Sequence, residues 1–480
     1  MKKLAGFKPY KVFEYFEEIS AIPRGSGNMD RISNYCVDFA KAHCLKFEQD
    51  EAKNVIIFKE ASLGYENAEP IILQGHLDMV CQKTEETDID FEKDGLDIYA
   101  EEDYVKAKGT TLGADNGIAV AMILAILDSD DVKHPPIEAV FTTDEEIGMV
   151  GAGKLSFANL KGKRMINIDS ESMGTVTVSC AGGSDFKMFI PVKRKSAEGR
   201  KIKLSVKGLR GGHSGVEINS GRVNANILAA RILNHLKEKA DFDIISLNGG
   251  DKGNAIPVCC IAEILTDDAD LIVSEINSYA KIIKDEIKMR ESGFMIETEI
   301  SDKADFNIIA SPLKEKLIFL LLCAPNGVIE MSAEIENLVE TSLNLGILKT
   351  DDEQITVSFA LRSNKESALR FLEEKLKTYS ECIECRADSS GHYPPWEYKE
   401  NSFLQDIYKK VYFEKMGTYP KIEAIHAGLE CGIFSSHIRG LDCISIGPDM
   451  YGIHTVGERL SISSVKKIYD IILNVLEKCK

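Results

Sequence analysis

The chain has 480 residues, 44% hydrophobic and 28% charged, a composition that excludes a disordered chain and is too long for one ordinary core. Its 76 acidic residues against 58 basic ones leave a formal net charge of −18, which argues against nucleic acid and against an anionic membrane as partners. The 12 cysteines are scattered rather than arranged as a secreted framework, and they fit a reducing compartment. Cys382 and Cys385 form a lone CxxC in a stretch that alternates like a strand. With no second pair, they lack the spacing of a tetrahedral metal site.

At the N-terminus Val12, Phe16 and Ile19 mark one face of an amphipathic helix, and the surrounding Lys8, Lys11, Glu14, Glu17 and Glu18 leave no apolar leader. Ile32, Tyr35, Cys36 and Phe39 again have helical spacing. Short apolar runs at 54–58, 70–73, 139–142 and 165–168 read as buried strands, and 117–127 reads as a buried helix. That helix, closed by Asp115 and Asp128, is far short of the roughly 18 residues a bilayer crossing needs, so a cytoplasmic protein is expected. This alternation predicts an α/β domain with a central, mostly parallel sheet flanked by helices.

From about 186 the pattern changes. Charged alternating strands (201–206, 355–362) flank long polar helices (222–236, 271–287), which predicts an α+β domain. After Pro394-Pro395-Trp396 the first style returns, with a helix at 404–413, a strand at 421–425, a helix start at 428–434, a strand at 441–446 and a last helix carrying Val465, Ile468, Ile472 and Val475. The expected organisation is a catalytic domain formed by 1–185 and 395–480, interrupted by an inserted α+β lid domain at 186–394.

Several strand-like runs of the first style end in polar residues: Gly75-His76-Leu77-Asp78, Asp144-Glu145-Glu146, Asp169-Ser170-Glu171 and, past 441–446, His454. Ligands of open α/β sheets bind beyond the carboxyl ends of the strands, so His76, Glu145, Glu146, Asp169 and His454 are expected at one rim. Asp115, which opens the buried helix, joins them as a candidate, although a helix start needs a cap in any case. Taken singly, each has a plain structural use: a core histidine, a helix cap, a solvated first turn, a loop acid. Together, Asp78, Asp115, Glu145, Glu146 and Asp169 would crowd five carboxylates into one pocket, and repulsion would protonate several of them. Two divalent cations would offset that charge. Imidazole mixed with carboxylate suits zinc, and manganese or cobalt are the alternatives. Asp78 is placed to accept a hydrogen bond from the second ring nitrogen of His76 and so fix its tautomer. Of the adjacent pair Glu145 and Glu146, one can bind metal while the other takes a proton from water. In the inserted domain, Arg210-Gly211-Gly212-His213-Ser214-Gly215 reads as a flexible loop whose histidine could donate to a developing oxyanion.

Three of these stretches, 75–80, 109–117 and 144–149, resemble the aminoacyl-histidine dipeptidases. These are also called cytosolic non-specific dipeptidases or peptidase D, and they sit within the aminoacylase and carnosinase superfamily of co-catalytic metallopeptidases. The resemblance continues through 180–183, 210–215, 254–257, 341–346 and 426–432, nearly the whole chain. It implies His76 and Asp169 on one metal, Glu146 and His454 on the other, and Asp115 bridging. It also implies Glu145 as general base and then acid, Asp78 as orienter of His76, and His213 polarising the substrate carbonyl. Asn254, Arg362 and Gly428 resemble positions that hold the substrate backbone or carboxylate. The implied activity is cleavage of dipeptides such as Xaa-His, and the implied assembly is a homodimer through the lid. The implied alternatives are an N-acyl amino acid deacylase of the same fold and a non-catalytic metal-bound assembly module. One motif departs from the family pattern: where relatives read His-Ser-Pro-Asp-Glu-Arg, this chain has His454-Thr455-Val456-Gly457-Glu458-Arg459.

Overall fold

The computed structural model describes residues 3–480 as two compact units. One takes the chain up to Cys180 together with Tyr398–Ala424 and Leu429–Lys480, and the other takes Ala181–Glu397 and Ile425–Gly428.

The first unit is a layered α/β structure. Its eight-stranded sheet runs in the order Lys46–Gln49, Val55–Lys59, Ile137–Thr142, Ile71–His76, Arg164–Asn167, Asp442–Ser445, Thr175–Cys180, Lys421–Ile425. The central pairings are parallel: Ile71–His76 with Ile137–Thr142 on one side and Arg164–Asn167 on the other, which in turn pairs with Asp442–Ser445. Antiparallel strands flank this centre. All six residues of both Ile71–His76 and Ile137–Thr142 are buried, as strands covered on both faces must be. The helix Ala114–Leu127 is apolar all round rather than on one stripe, and it is buried accordingly. It packs against Ile71–His76 and the amphipathic helix Tyr10–Ser20. Asp115 does not cap this helix. Asp115 and Asn116 are non-helical, no side chain caps the N-terminus, and the regular turns start beyond them.

A small four-stranded sheet was not anticipated. It joins Met450–Tyr451 and Arg459–Ser461 to Tyr104–Ala107 and Ile98–Glu101. Its Leu460↔Val105 register brings the loop carrying His454 to the loop carrying Asp115. Among the described residues no helix is long and apolar enough to cross a membrane.

The second unit is an antiparallel nine-stranded sheet covered by helices. The helices Ala225–Lys237, Ala269–Ile287, Ser311–Cys323 and Glu366–Ile383 turn their apolar faces to one core with the strand residues Leu204, Val206, Leu345 and Val357. Cys382 is not in a strand; the strand begins only at Arg386, just past Cys385. Cys382 lies in the last turn of Glu366–Ile383, where Leu369, Leu372, Leu376 and Ile383 supply helical spacing, and Cys382 and Cys385 are free thiols. The helical period of the preceding apolar residues overrode the short alternation.

Candidate metal centre

The first unit brings its carboxylates to the carboxyl ends of the central strands. His76 is the last residue of Ile71–His76 and is 1% exposed. Its Nε2 lies 3.1 Å from Asp115 Oδ1 and 3.6 Å from Asp169 Oδ1, and its Nδ1 lies 3.3 Å from Asp78 Oδ1. On the far side of Asp115, Oδ2 is 3.2 Å from His454 Nε2, which is also 3.0 Å from Glu146. Asp115 thus presents one oxygen to each imidazole.

The backbone that carries these groups is tied down by buried polar contacts. Asp78 accepts from the backbone N–H groups of Glu145 (3.0 Å) and Glu146 (3.2 Å) and from the Ser26 hydroxyl (2.8 Å). Asn116 accepts from the His76 N–H at 3.1 Å and donates to the Ile168 carbonyl at 2.7 Å, linking two strand ends. Glu458 accepts from the N–H groups of Leu112, Gly113 and Ala114 at 2.7–2.9 Å and so clamps the loop before Asp115. The Arg24 guanidinium, 2% exposed, donates to the carbonyls of Leu77, Asp78 and Gly113. Gly113 has φ +64, and a Cβ there would meet both Arg24 and Met79, so glycine is required on both counts.

The electrostatics follow from so many anions in little water. Burial pushes the Glu145 carboxyl well above its ordinary range and Asp169 up to about 6, with neighbouring carboxylates adding to both. Burial likewise pushes Glu430 up to about 7. The hydrogen bonds that His454 makes to the Asp115 and Glu146 carboxylates raise it to about 10. Burial works against a charged His76, yet Asp115, Asp169 and Asp78 together carry its pKa well above 6.5. Burial opposes the charged form of Asp78 too, but the contacts from His76, Ser26 and the Glu145 N–H hold it at about 2. A cluster whose anions drive both imidazoles toward the protonated form is one that favours added positive charge.

The donor set fits metal. Ligand atoms of His76, Asp115 and Glu146 all lie within 4.8 Å of one another. Asp169 and His454 adjoin that group at the distances above, and imidazole with carboxylate is a set suited to zinc, manganese or cobalt.

The second unit holds the remaining predicted residues. His213 pairs with Ala255 as an isolated bridge, and the Asn254 carbonyl accepts from the Ser214 N–H at 2.9 Å. His213 and Asn254 line one cavity of about 1040 Å³. Arg362, on Gln354–Ser363, donates from Nη1 to the Tyr393 hydroxyl at 2.8 Å. A Cβ on Gly215 would meet His213, Arg362 and the His426 carbonyl, so these three converge there. Burial and then Arg362 lower the pKa of His213, and burial holds His426 at about 3 with Arg362 adding to the effect. Gly428 closes the short Ile425–Gly428 segment of this unit.

Sequence reasoning did not single out Arg24, Asn116, Glu430, Glu458 or His426. Asn116, Glu430 and His426 lie inside motifs that carry the family resemblance. Arg24 lies outside every motif, and nothing in its local sequence marks it.

Comparison with known proteins bears out the family resemblance. The model of the family described as peptidase family M20/M25/M40 matches residues 72–478. The cytosol non-specific dipeptidase of Escherichia coli (strain K12) is 36% identical over 484 residues, covering 100% of this chain and 99% of that protein. The crystal structure of aminoacylhistidine dipeptidase from Vibrio alginolyticus superposes with a TM-score of 0.92 at 36% identity, covering 99% of this chain and 98% of that one. Aminopeptidase PepT from Bacillus cereus, 15% identical with a TM-score of 0.57 over 98% of this chain and 99% of its own, shares the fold.

Proposed function

The chain belongs to peptidase family M20/M25/M40, a metal-dependent family of hydrolases, and from that premise we propose that it is a cytoplasmic dipeptidase working with two divalent metal ions, zinc foremost. The observation that carries this reading is Asp115, whose Oδ1 faces His76 Nε2 and whose Oδ2 faces His454 Nε2. A carboxylate that faces two imidazoles, one through each oxygen, is placed to serve two adjacent ions. His76 and Asp169 would hold one ion, Glu146 and His454 the other, and Asp115 both.

When bound, such a pair of ions polarises the scissile carbonyl and acidifies water. The protein's own groups do the rest. Asp78 fixes the His76 tautomer through Nδ1 and, through the backbone of Glu145 and Glu146, fixes where that pair stands. Glu145 takes the proton of the attacking water and delivers it to the leaving amine nitrogen, so the C–N bond breaks with no net proton change. Its buried setting raises its proton affinity above that of an ordinary carboxylate, which suits a general base. His213 stays neutral beside Arg362 and donates to the carbonyl oxygen as negative charge develops. Arg362, Asn254 and Gly428 hold the substrate's backbone and carboxylate. The inserted domain acts as a lid and as the contact surface of a homodimer.

The test is a substrate panel on the purified protein with metal content measured in parallel. Two zinc ions per chain and rapid cleavage of Ala-His or Gly-Gly are expected. Preference for N-acetyl amino acids would make it a deacylase, and no turnover with both ions bound would make it a metal-bound assembly module.

A further inference from the structure

A buried hydrogen-bond chain runs beneath the strand ends that carry the cluster. Asn167 Nδ2 donates to Gln74 Oε1, and Gln74 Nε2 donates to Glu430 Oε2. The same Gln74 amide lies 3.1 Å from Thr142 Oγ1, and the Thr142 hydroxyl donates to Glu430 Oε2 at 2.6 Å. All four side chains are 0% exposed. Gln74 and Thr142 both donate to Glu430 Oε2, in the first turn of the helix Glu430–His437, and Asn167 reaches it through Gln74.

The members are not scattered. Gln74 stands two residues before His76 on Ile71–His76, so both side chains leave the same face of that strand. Asn167 ends Arg164–Asn167, two residues before Asp169. Thr142 ends Ile137–Thr142, three residues before Glu145. Gln74 and Asn167 are register partners, as are His76 and Thr142. The chain therefore crosses the three strands that deliver His76, Asp169 and the Glu145-Glu146 pair, one layer below those residues. A primary amide at the centre of such a chain has two orientations. Glu430 Oε2, which accepts from both Gln74 and Thr142, selects the one with Nε2 toward Glu430 and Oε1 toward Asn167.

We propose that Glu430 is a positioning residue for the metal centre, locking the ends of these three strands through Gln74 and Thr142 so that His76, Asp169 and Glu145 stand at working distances. This rests on the dipeptidase reading above and assigns Glu430 no contact with substrate. Groups that orient metal ligands from behind are worth about 10–100-fold in metal affinity or activity.

The experiment compares Glu430→Ala and Glu430→Gln with the unchanged protein, reading zinc affinity by chelator competition and kcat and KM on Ala-His separately. Gln can return an oxygen acceptor to the same place, and Ala cannot. The expected result is a drop of about 10–100-fold in zinc affinity and in kcat for Glu430→Ala, with KM within about threefold. Glu430→Gln should recover most of both. Should Glu430→Ala not fold, Thr142→Val against Thr142→Ser tests the same lock, with loss of zinc affinity in Val and recovery in Ser. Zinc affinity and kcat unchanged in Glu430→Ala, or equal damage in Ala and Gln, would overturn the proposal. The unchanged protein reads the function by itself: if it binds zinc and cuts dipeptides while the variants behave as it does, only the role of Glu430 falls.

Discussion

In the unit whose sheet has a parallel centre, His76 and His454 stand among Asp115, Asp169 and Glu146, and these carboxylates hold both imidazoles toward the protonated form. In the unit built on the antiparallel sheet, burial and Arg362 push His213 and His426 toward the neutral form. The residue type is the same, and its neighbours decide what it can do. Imidazoles set among anions make a place for cations. Neutral imidazoles beside a guanidinium make hydrogen-bonding groups for a polar ligand that carries a carboxylate.

The largest expected effect comes from the anionic side. Glu145→Gln should retain both ions and lose roughly 10²–10⁴ in kcat, the usual worth of a general base. Near-normal turnover on Ala-His would remove Glu145 from the reaction. Next is Asp115→Asn, which keeps the shape and removes the shared charge. Metal analysis after dialysis should find the affinity for both ions reduced together. Loss of one ion alone would show that Asp115 does not bridge.

The neutral side is tested by acid. The folded-state pKa of His426, about 3, lies below its ordinary 6.5, so between those values the unfolded chain binds more protons. The stability it contributes is present above pH 6.5 and is lost as pH falls toward 3, by about 1.4 kcal/mol per unit of pH at most. His426→Asn should flatten the acid limb of the denaturant-unfolding curve. At pH 8 it should cost only its contacts to Ser342 and Asn364, on the order of 1–2 kcal/mol. An unchanged acid limb would mean that His426 is not held neutral. The smallest effect is expected from Cys382→Ser with Cys385→Ser, free thiols in the antiparallel unit that contact neither histidine set. Metal content and turnover should not change, and stability should move by no more than about 0.5 kcal/mol.

The amino-acid sequence by itself determined the style of each region. Apolar runs with strand or helix periodicity, punctuated by polar ends, announce a layered α/β unit around His76, Asp169 and Glu145. Longer amphipathic helices and alternating strands announce a different unit between. These are local signals, because burial of one face repeats along the chain with the period of the element that buries it. The strand reading around Cys382 failed where alternation over a few residues competed with a helix eighteen residues long. What only the tertiary structure decided is proximity. Asp115 looks like a helix cap until the small sheet pairs Arg459–Ser461 with Tyr104–Ala107 and brings His454 to its second oxygen. Arg24 carries no local mark of its part, and the stretches that hold Glu430 and Glu458 do not say what these carboxylates touch, since a buried charge is placed by partners 53 to 356 positions away along the chain. Hydrogen bonding and charge act through space over a few ångströms, and that distance has no image in sequence separation.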